Sequence, residues 1–271
     1  MELKKVTVPD IGRMKAAGER ITMVTAYDHA FARLLDEAAV DVLLVGDSLG
    51  MVVQGLDTTL PVTLDEMVYH TRMVARGRRR ALVLGDLPFG SYQVSPEQAV
   101  ESAVRLVKDG GAEAVKLEGG ITMQRTIEAI AAIDVPVMGH IGLTPQSVHR
   151  MGGHRVQGRR HGRAPGARER VLDDARAVQA AGAFAVVLEC IPLDLAAEIS
   201  AELTIPTIGI GAGPHCDGQV LVLHDMLGLY PDMRPKFVKV YADVGESAQA
   251  ALERFCREVR EGIFPGPEHS F

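Results

Sequence analysis

The chain is poor in the features that mark several protein classes. Its 271 residues include three cysteines, Cys190, Cys216 and Cys256, an odd number with no CxxC pair. That argues against a disulfide framework or a zinc ribbon and fits a reducing compartment. No apolar run reaches the roughly 18–20 residues that a membrane span needs. The opening MELKKVTVPDIGRMKAAGER lacks the continuous apolar core of a signal peptide, so a cytoplasmic protein is expected. Excess positive charge is missing too: the formal net charge is -6, which gives no field to collect phosphate backbones, and nucleic acid is not an expected partner.

What is present is a chain able to fold on its own. Hydrophobic residues make up 47% and charged residues 24%, enough for a sizeable core under an ordinary soluble surface, and disorder is not expected. The length suits one α/β barrel over residues 1–271. Eight short apolar runs alternate with helical stretches: ITMVTAYD (21–28), DVLLVGDS (41–48), ALVLGDLPF (81–89), EAVKLEGG (113–120), VPVMGHIG (135–142), FAVVLECIP (184–192), IPTIGIGAG (205–213) and FVKVYADV (237–244). Repeated βα units with eight buried strands predict a (β/α)8, or TIM, barrel. Between them lie helix signals. Thr63 and Glu66 form a capping box ahead of a helix that ends on Gly77; Ser95 caps and Pro96 opens another, stopped by Gly110 and Gly111. An extra N-terminal helix is expected over TVPDIGRMKAAG, covering the lower end of the barrel, and an amphipathic helix over ESAQAALERFCREVREG. The Gly- and Arg-rich stretch 152–170 has no apolar periodicity and reads as a mobile active-site loop. Its basic residues 159–170 have two readings, attraction of an anionic ligand tail or a solvated charge run.

In a parallel barrel the active site forms at the C-terminal strand ends. Here those ends are acidic: Asp47, Asp86, Glu118 and Glu189 close runs two, three, four and six, and His140 closes run five. Buried carboxylates converging on one mouth repel each other and require a cation. An all-oxygen set favours a hard ion such as Mg2+ over zinc. For any one acid alone, a helix cap or loop salt bridge is the commoner explanation. Lys116 and Glu118 lie two apart on one strand and share its inner face. Lys116 then neutralises a substrate carboxylate, satisfies the nearby acids or forms a Schiff base. Ser48 either holds a carboxylate or caps a turn. His140 either carries protons or is satisfied by a backbone carbonyl. Gly209, Gly211 and Gly213 allow a ligand such as phosphate to approach the backbone closely, although their spacing alone is weak evidence.

Ordered motifs along nearly the whole chain carry a resemblance: VGDSLGMVVQG at 45, TTLPVTLDEMVYHT at 58, GDLPFGSYQ at 85, AVKLEGG at 114, GHIGLTPQSV at 139, GGHRVQGR at 152, LECIP at 188 and IGIGAGPHCDGQVLVLHDMLGL at 208. The sequence closely resembles the ketopantoate hydroxymethyltransferase family. The resemblance implies a (β/α)8 barrel that moves a hydroxymethyl group from 5,10-methylenetetrahydrofolate to 3-methyl-2-oxobutanoate, giving 2-dehydropantoate for pantothenate and coenzyme A synthesis. It also implies Mg2+ at Asp47 and Asp86, with Glu118 at the metal through water. Substrate binding falls to Asp47, Ser48, Asp86 and Lys116, and Glu189 is the base, with His140 as a possible supporting residue. A homo-oligomer, commonly a decamer, is implied as well. After VQGR the Arg-rich segment departs from the family pattern. The alternative within enzymes is a phosphoenolpyruvate mutase/isocitrate lyase-type lyase acting on a 2-oxo acid; its KKCGH-like loop is absent. A catalytically dead scaffold barrel is the alternative outside enzymes, and retention of every acidic strand end speaks against it.

Overall fold

The computed structural model describes residues 4–159, 166–229 and 235–271. Eight parallel strands close a barrel in chain order: β1 (Ile21–Thr25), β2 (Val42–Val45), β3 (Leu82–Asp86), β4 (Ala114–Glu118), β5 (Val137–Gly142), β6 (Ala185–Glu189), β7 (Thr207–Ile210) and β8 (Gly218–Leu221). The helices around and beyond it are α1 (Val8–Ala17), α2 (His29–Glu37), α3 (Leu49–Val52), α4 (Leu64–Gly77), α5 (Pro96–Lys108), α6 (Gln124–Ala131), α7 (Val148–Met151), α8 (Ala167–Ala180), α9 (Leu193–Glu202), α10 (Leu223–Met226) and α11 (Val244–Arg260). The first seven strands fall within the apolar runs of the sequence. Apart from the exposed Thr22 in β1 they are covered on both faces, so they read as largely continuous Val, Ile and Leu rather than as alternation.

The eighth strand is a correction. FVKVYADV does not complete the barrel: residues 237–243 are coil and α11 starts at Val244. GQVL at 218–221 closes it instead, pairing Ile21 with Gly218 and Val24 with Leu221 on one side and Ile208 with Gly218 on the other. That strand is four residues long and starts on a glycine, so it carries no apolar run to announce it. A Cβ on Gly218 would meet the Ile21 carbonyl oxygen at 2.5 Å, and the tight strand approach requires glycine there.

Local chemistry sets the helix ends. The Thr63 hydroxyl accepts from the Glu66 amide at 3.3 Å, and the Glu66 carboxylate accepts from the Thr63 amide at 2.7 Å. Ser95 accepts from the Gln98 amide at 3.2 Å. Of the Gly- and Arg-rich stretch, residues 160–165 lie outside the described residues, and α8 takes over from Ala167. Beyond Leu221 the chain forms a second compact unit, 222–271. In it Tyr241 and Val244 donate to the Met226 and Leu227 carbonyls at 2.8 and 3.0 Å. Among the described residues no helix is long and apolar enough to cross a membrane.

The inner residues follow the two-residue period of the strands. Ile21, Met23, Val42, Leu44, Leu82, Leu84, Ala114, Met138, Ala185, Val187, Ile208 and Val220 form one apolar cluster in the barrel. Val6 and Ile11, before and within α1, join it, so the N-terminal helix caps this apolar end. Continuing each series two residues up the strands gives Asp86, Lys116, His140 and Glu189, and then Glu118. One end of the barrel is therefore a sealed apolar plug and the other a charged mouth. Ile11 is fully buried, and Ile11→Ala should destabilise the protein by about 2–5 kcal/mol in denaturant unfolding. A loss below about 0.5 kcal/mol, the size of a typical surface substitution, would show that α1 does not seal the barrel.

Candidate active site

Strand register assembles the mouth. Asp86 on β3 pairs with Lys116 on β4, Glu118 on β4 with His140 on β5, and Gly142 on β5 with Glu189 on β6. Asp47 and Ser48 follow β2 by one turn through Gly46, where a Cβ would stand 2.9 Å from the Ser48 hydroxyl. Gly142 is required by the backbone itself. It has a φ of +91°, and a Cβ on it would collide with the Glu189 carbonyl oxygen, which instead accepts from the Leu143 amide at 2.9 Å. The next residue, Cys190, is held at a φ of +47°, a strained conformation for a non-glycine residue beside a candidate catalytic group. The Gln157 amide donates to the Cys190 carbonyl at 3.0 Å, tying the GGHRVQG segment to the end of β6.

Asp47, Asp86, Lys116, Glu118 and His140 are all deeply buried, at 2–6% exposure; the Glu189 side chain is more open at 14%. The Lys116 ammonium lies 2.8 Å from Asp86 Oδ1 and 3.3 Å from His140 Nδ1. His140 Nδ1 is 3.6 Å from Glu118 Oε1, and its Nε2 is 3.0 Å from Glu189 Oε2. His140 thus faces charged side chains on both ring edges rather than a backbone carbonyl. The Asp47 amide reaches Asp86 Oδ2 at 3.4 Å, which places the two aspartates side by side. The Ser48 hydroxyl is 2.9 Å from the Tyr27 hydroxyl.

Three carboxylates and one ammonium leave this pocket with surplus negative charge away from water. Burial pushes Asp47, Asp86 and Glu118 above the ordinary carboxylate range, Asp86 to about 7, and their mutual repulsion adds to the shift in Asp86 and Glu118. Burial alone would lower Lys116, but Asp86, Glu118 and Asp47 outweigh it and hold the ammonium above its ordinary value. A lysine held in its protonated form acts as a point charge and is a poorer Schiff-base nucleophile than a neutral amine. Burial and the Lys116 charge lower His140, favouring a neutral ring.

The acids at the opposite end of the barrel show the contrast. Asp36 accepts from the backbone amides of Arg79, Arg80 and Ala81 at 2.9, 2.9 and 2.7 Å. Asp41 pairs with Arg80 at 2.7 Å and Asp217 with Lys15 at 2.8 Å. Those carboxylates are satisfied by the protein, whereas the mouth carries more acids than cations.

Two residues escape sequence reasoning. Gln146, in the loop after β5, donates from Nε2 to Asp47 Oδ2 at 2.8 Å, and its backbone amide donates to Glu118 Oε2 at 3.0 Å. The Tyr92 hydroxyl accepts from the Glu118 amide at 3.1 Å and donates to Gln146 Oε1 at 2.6 Å. Both lie in motifs singled out above, GDLPFGSYQ and GHIGLTPQSV, yet no apolar run precedes them to mark them as buried. Two glycines of IGIGAG, Gly209 and Gly213, have close neighbours of their own. A Cβ on Gly209 would crowd Cys216 Sγ at 2.9 Å, and one on Gly213 would run into Leu193. Cys190, Cys216 and Cys256 are free thiols.

Comparison with known proteins places this geometry. Among solved structures, the barrel is similar to a phosphonopyruvate hydrolase complexed with oxalate and Mg++ (TM-score 0.61, 13% identity, 97% of this chain and 93% of that one). It is also similar to a 2,3-dimethylmalate lyase of the PEP mutase/isocitrate lyase superfamily (TM-score 0.58, 16% identity, 97% and 91%). At such identities these neighbours show the fold alone. Sequence relatives go further. The chain is 60% identical over 268 residues to the 3-methyl-2-oxobutanoate hydroxymethyltransferase of Pelobacter propionicus, covering 99% of this chain and 98% of that protein. It is 58% identical to the enzyme of the same name from Geobacter metallireducens, covering 99% of each. A family model described as ketopantoate hydroxymethyltransferase matches residues 5–267, and the chain belongs to that family.

Proposed function

We propose that this protein transfers a hydroxymethyl group from 5,10-methylenetetrahydrofolate to 3-methyl-2-oxobutanoate, giving 2-dehydropantoate on the route to pantothenate and coenzyme A. The observation that carries the reading is the division of the four mouth acids. Asp47, Asp86 and Glu118 are buried together around one lysine, while Glu189 stands apart, more open and against His140.

The donor set fits a hard divalent cation, because three desolvated carboxylates face a single ammonium. Among the described residues no three His, Cys, Asp or Glu side chains form a ready-made ligand group. Mg2+ binds through one or two carboxylates, retains several waters and takes further oxygens from its substrate. Asp47 and Asp86 would hold it directly and Glu118 through water. When bound, Mg2+ supplies Lewis-acid polarisation of the oxo acid, acidifying the carbon next to the carbonyl.

Lys116 and Ser48 would hold the substrate carboxylate, Lys116 as a fixed charge kept protonated by its neighbours. Glu189 would take the C3 proton, leaving a carbanion equivalent that attacks the one-carbon unit. His140, with Nε2 at 3.0 Å from Glu189 Oε2, would orient that carboxylate. The alternative lyase reading has the fold neighbours on its side, but full-length relatives at 58–60% identity carry the hydroxymethyltransferase name. The proposal includes a cytoplasmic homo-oligomer of the decameric kind that the resemblance implies.

With Mg2+ present, the wild type should exchange the C3 hydrogen of 3-methyl-2-oxobutanoate with deuterated water. Glu189→Gln should slow this by about 10²–10⁴-fold, the usual worth of a general base, and undiminished exchange by the variant would remove Glu189 as the base. Asp47→Ala and Asp86→Ala should each lose metal-dependent activity; a variant with wild-type Mg2+ affinity would contradict the ligand assignment. The raised Asp86 also predicts a pH dependence. A carboxyl whose folded pKa is about 7 stabilises the folded state below its unfolded pKa of about 3.9, and this contribution is lost as pH rises through about 7. Metal-free protein should therefore melt at progressively lower temperature from about pH 5 to 8, and Asp86→Asn should flatten the decline. An equal decline in the two proteins would refute the assignment to Asp86.

A further inference from the structure

We infer that Gln146 is a positioning residue which fixes the Asp47 and Glu118 carboxylates relative to one another across the barrel mouth. It stands in the loop after β5, is 6% exposed, and reaches acids delivered by the second and fourth strands. Its side chain uses both of its donors and both of its acceptor sites. Nε2 donates to Asp47 Oδ2 at 2.8 Å and to the Leu87 carbonyl at 3.0 Å. Oε1 accepts from the Tyr92 hydroxyl at 2.6 Å and from Gln93 Nε2 at 3.0 Å.

The amide has only one workable orientation. Flipped, it would set Oε1 against a carboxylate oxygen and a carbonyl, and would set its NH2 against the Gln93 amide, leaving buried groups without partners. Its backbone amide meanwhile donates to Glu118 Oε2 at 3.0 Å, and Tyr92 holds the Glu118 backbone from the other side. One oxygen of each acid is therefore pinned by the same residue. The side chain reaches Asp47 and the backbone amide, which any residue but proline would supply, reaches Glu118, so the glutamine itself matters for where Asp47 stands against a fixed Glu118. Outer partners of this kind set ligand orientation, and their loss typically costs about 10–100-fold in metal affinity.

The inference rests on the proposal that Asp47 and Glu118 serve a divalent cation. Mn2+ is the probe, with its free concentration followed by electron paramagnetic resonance and stability by thermal melting. Gln146→Met keeps the length of the side chain without its donors and acceptors. Gln146→Asn withdraws the amide by one methylene and serves if the methionine variant does not fold. Each folded variant should raise the Mn2+ dissociation constant about 10–100-fold. A role in packing alone would lower the melting temperature and leave that constant within twofold of wild type, which would overturn the inference. Asp47→Ala separates the two failures. If it abolishes Mn2+ binding while the Gln146 variants bind normally, only the positioning role falls. If the wild type binds no Mn2+, or Asp47→Ala binds as the wild type does, the metal reading falls and the inference with it.

Discussion

Everything at the mouth of this barrel answers to one constraint: three carboxylates are held out of water with a single ammonium among them. The parallel barrel imposes the arrangement. Register alternation sends Asp86, Lys116, Glu118, His140 and Glu189 inward from adjacent strands, and the turn after β2 adds Asp47. Desolvation favours the neutral acids, repulsion among them adds to that, and Lys116 offsets only part. At the far end, by contrast, each acid has its own amides or cation. The barrel therefore treats acids in two ways, and of its two ends the mouth keeps the surplus that a divalent ion and an anionic substrate could share.

Much of this was legible in the sequence because burial in a parallel sheet leaves a mark in one dimension. A strand covered on both faces is a run of Val, Ile and Leu, and an acid at its end stands out. Asp86, Glu118 and Glu189 are the last residues of β3, β4 and β6. The same logic failed where the mark is weak. β8 is short and led by glycine, while FVKV has the look of a strand and is coil. Gln146 and Tyr92 follow no apolar run; their partners are up to 99 residues away, a relation that only the closed barrel reveals. At Gly209 and Gly213 the structure adds neighbours that the spacing could not show, since Cys216 and Leu193 pack against them.

The neighbours in fold and the relatives in sequence speak to different levels. Phosphonopyruvate hydrolase and 2,3-dimethylmalate lyase share the barrel at 13–16% identity, and a barrel of this kind supports many reactions through its strand-end residues. Family membership narrows the field to hydroxymethyl transfer, and the geometry offers a division of labour that suits it. A buried acidic group can serve a cation, Lys116 can serve the substrate carboxylate, and Glu189, beside His140, can move a proton.

The most direct test is product formation by the purified protein from 3-methyl-2-oxobutanoate, with Mg2+ and 5,10-methylenetetrahydrofolate each supplied and withheld. The account predicts 2-dehydropantoate only when both are present. Absence of product with both, or cleavage of a 2-oxo acid that ignores the folate, would contradict it.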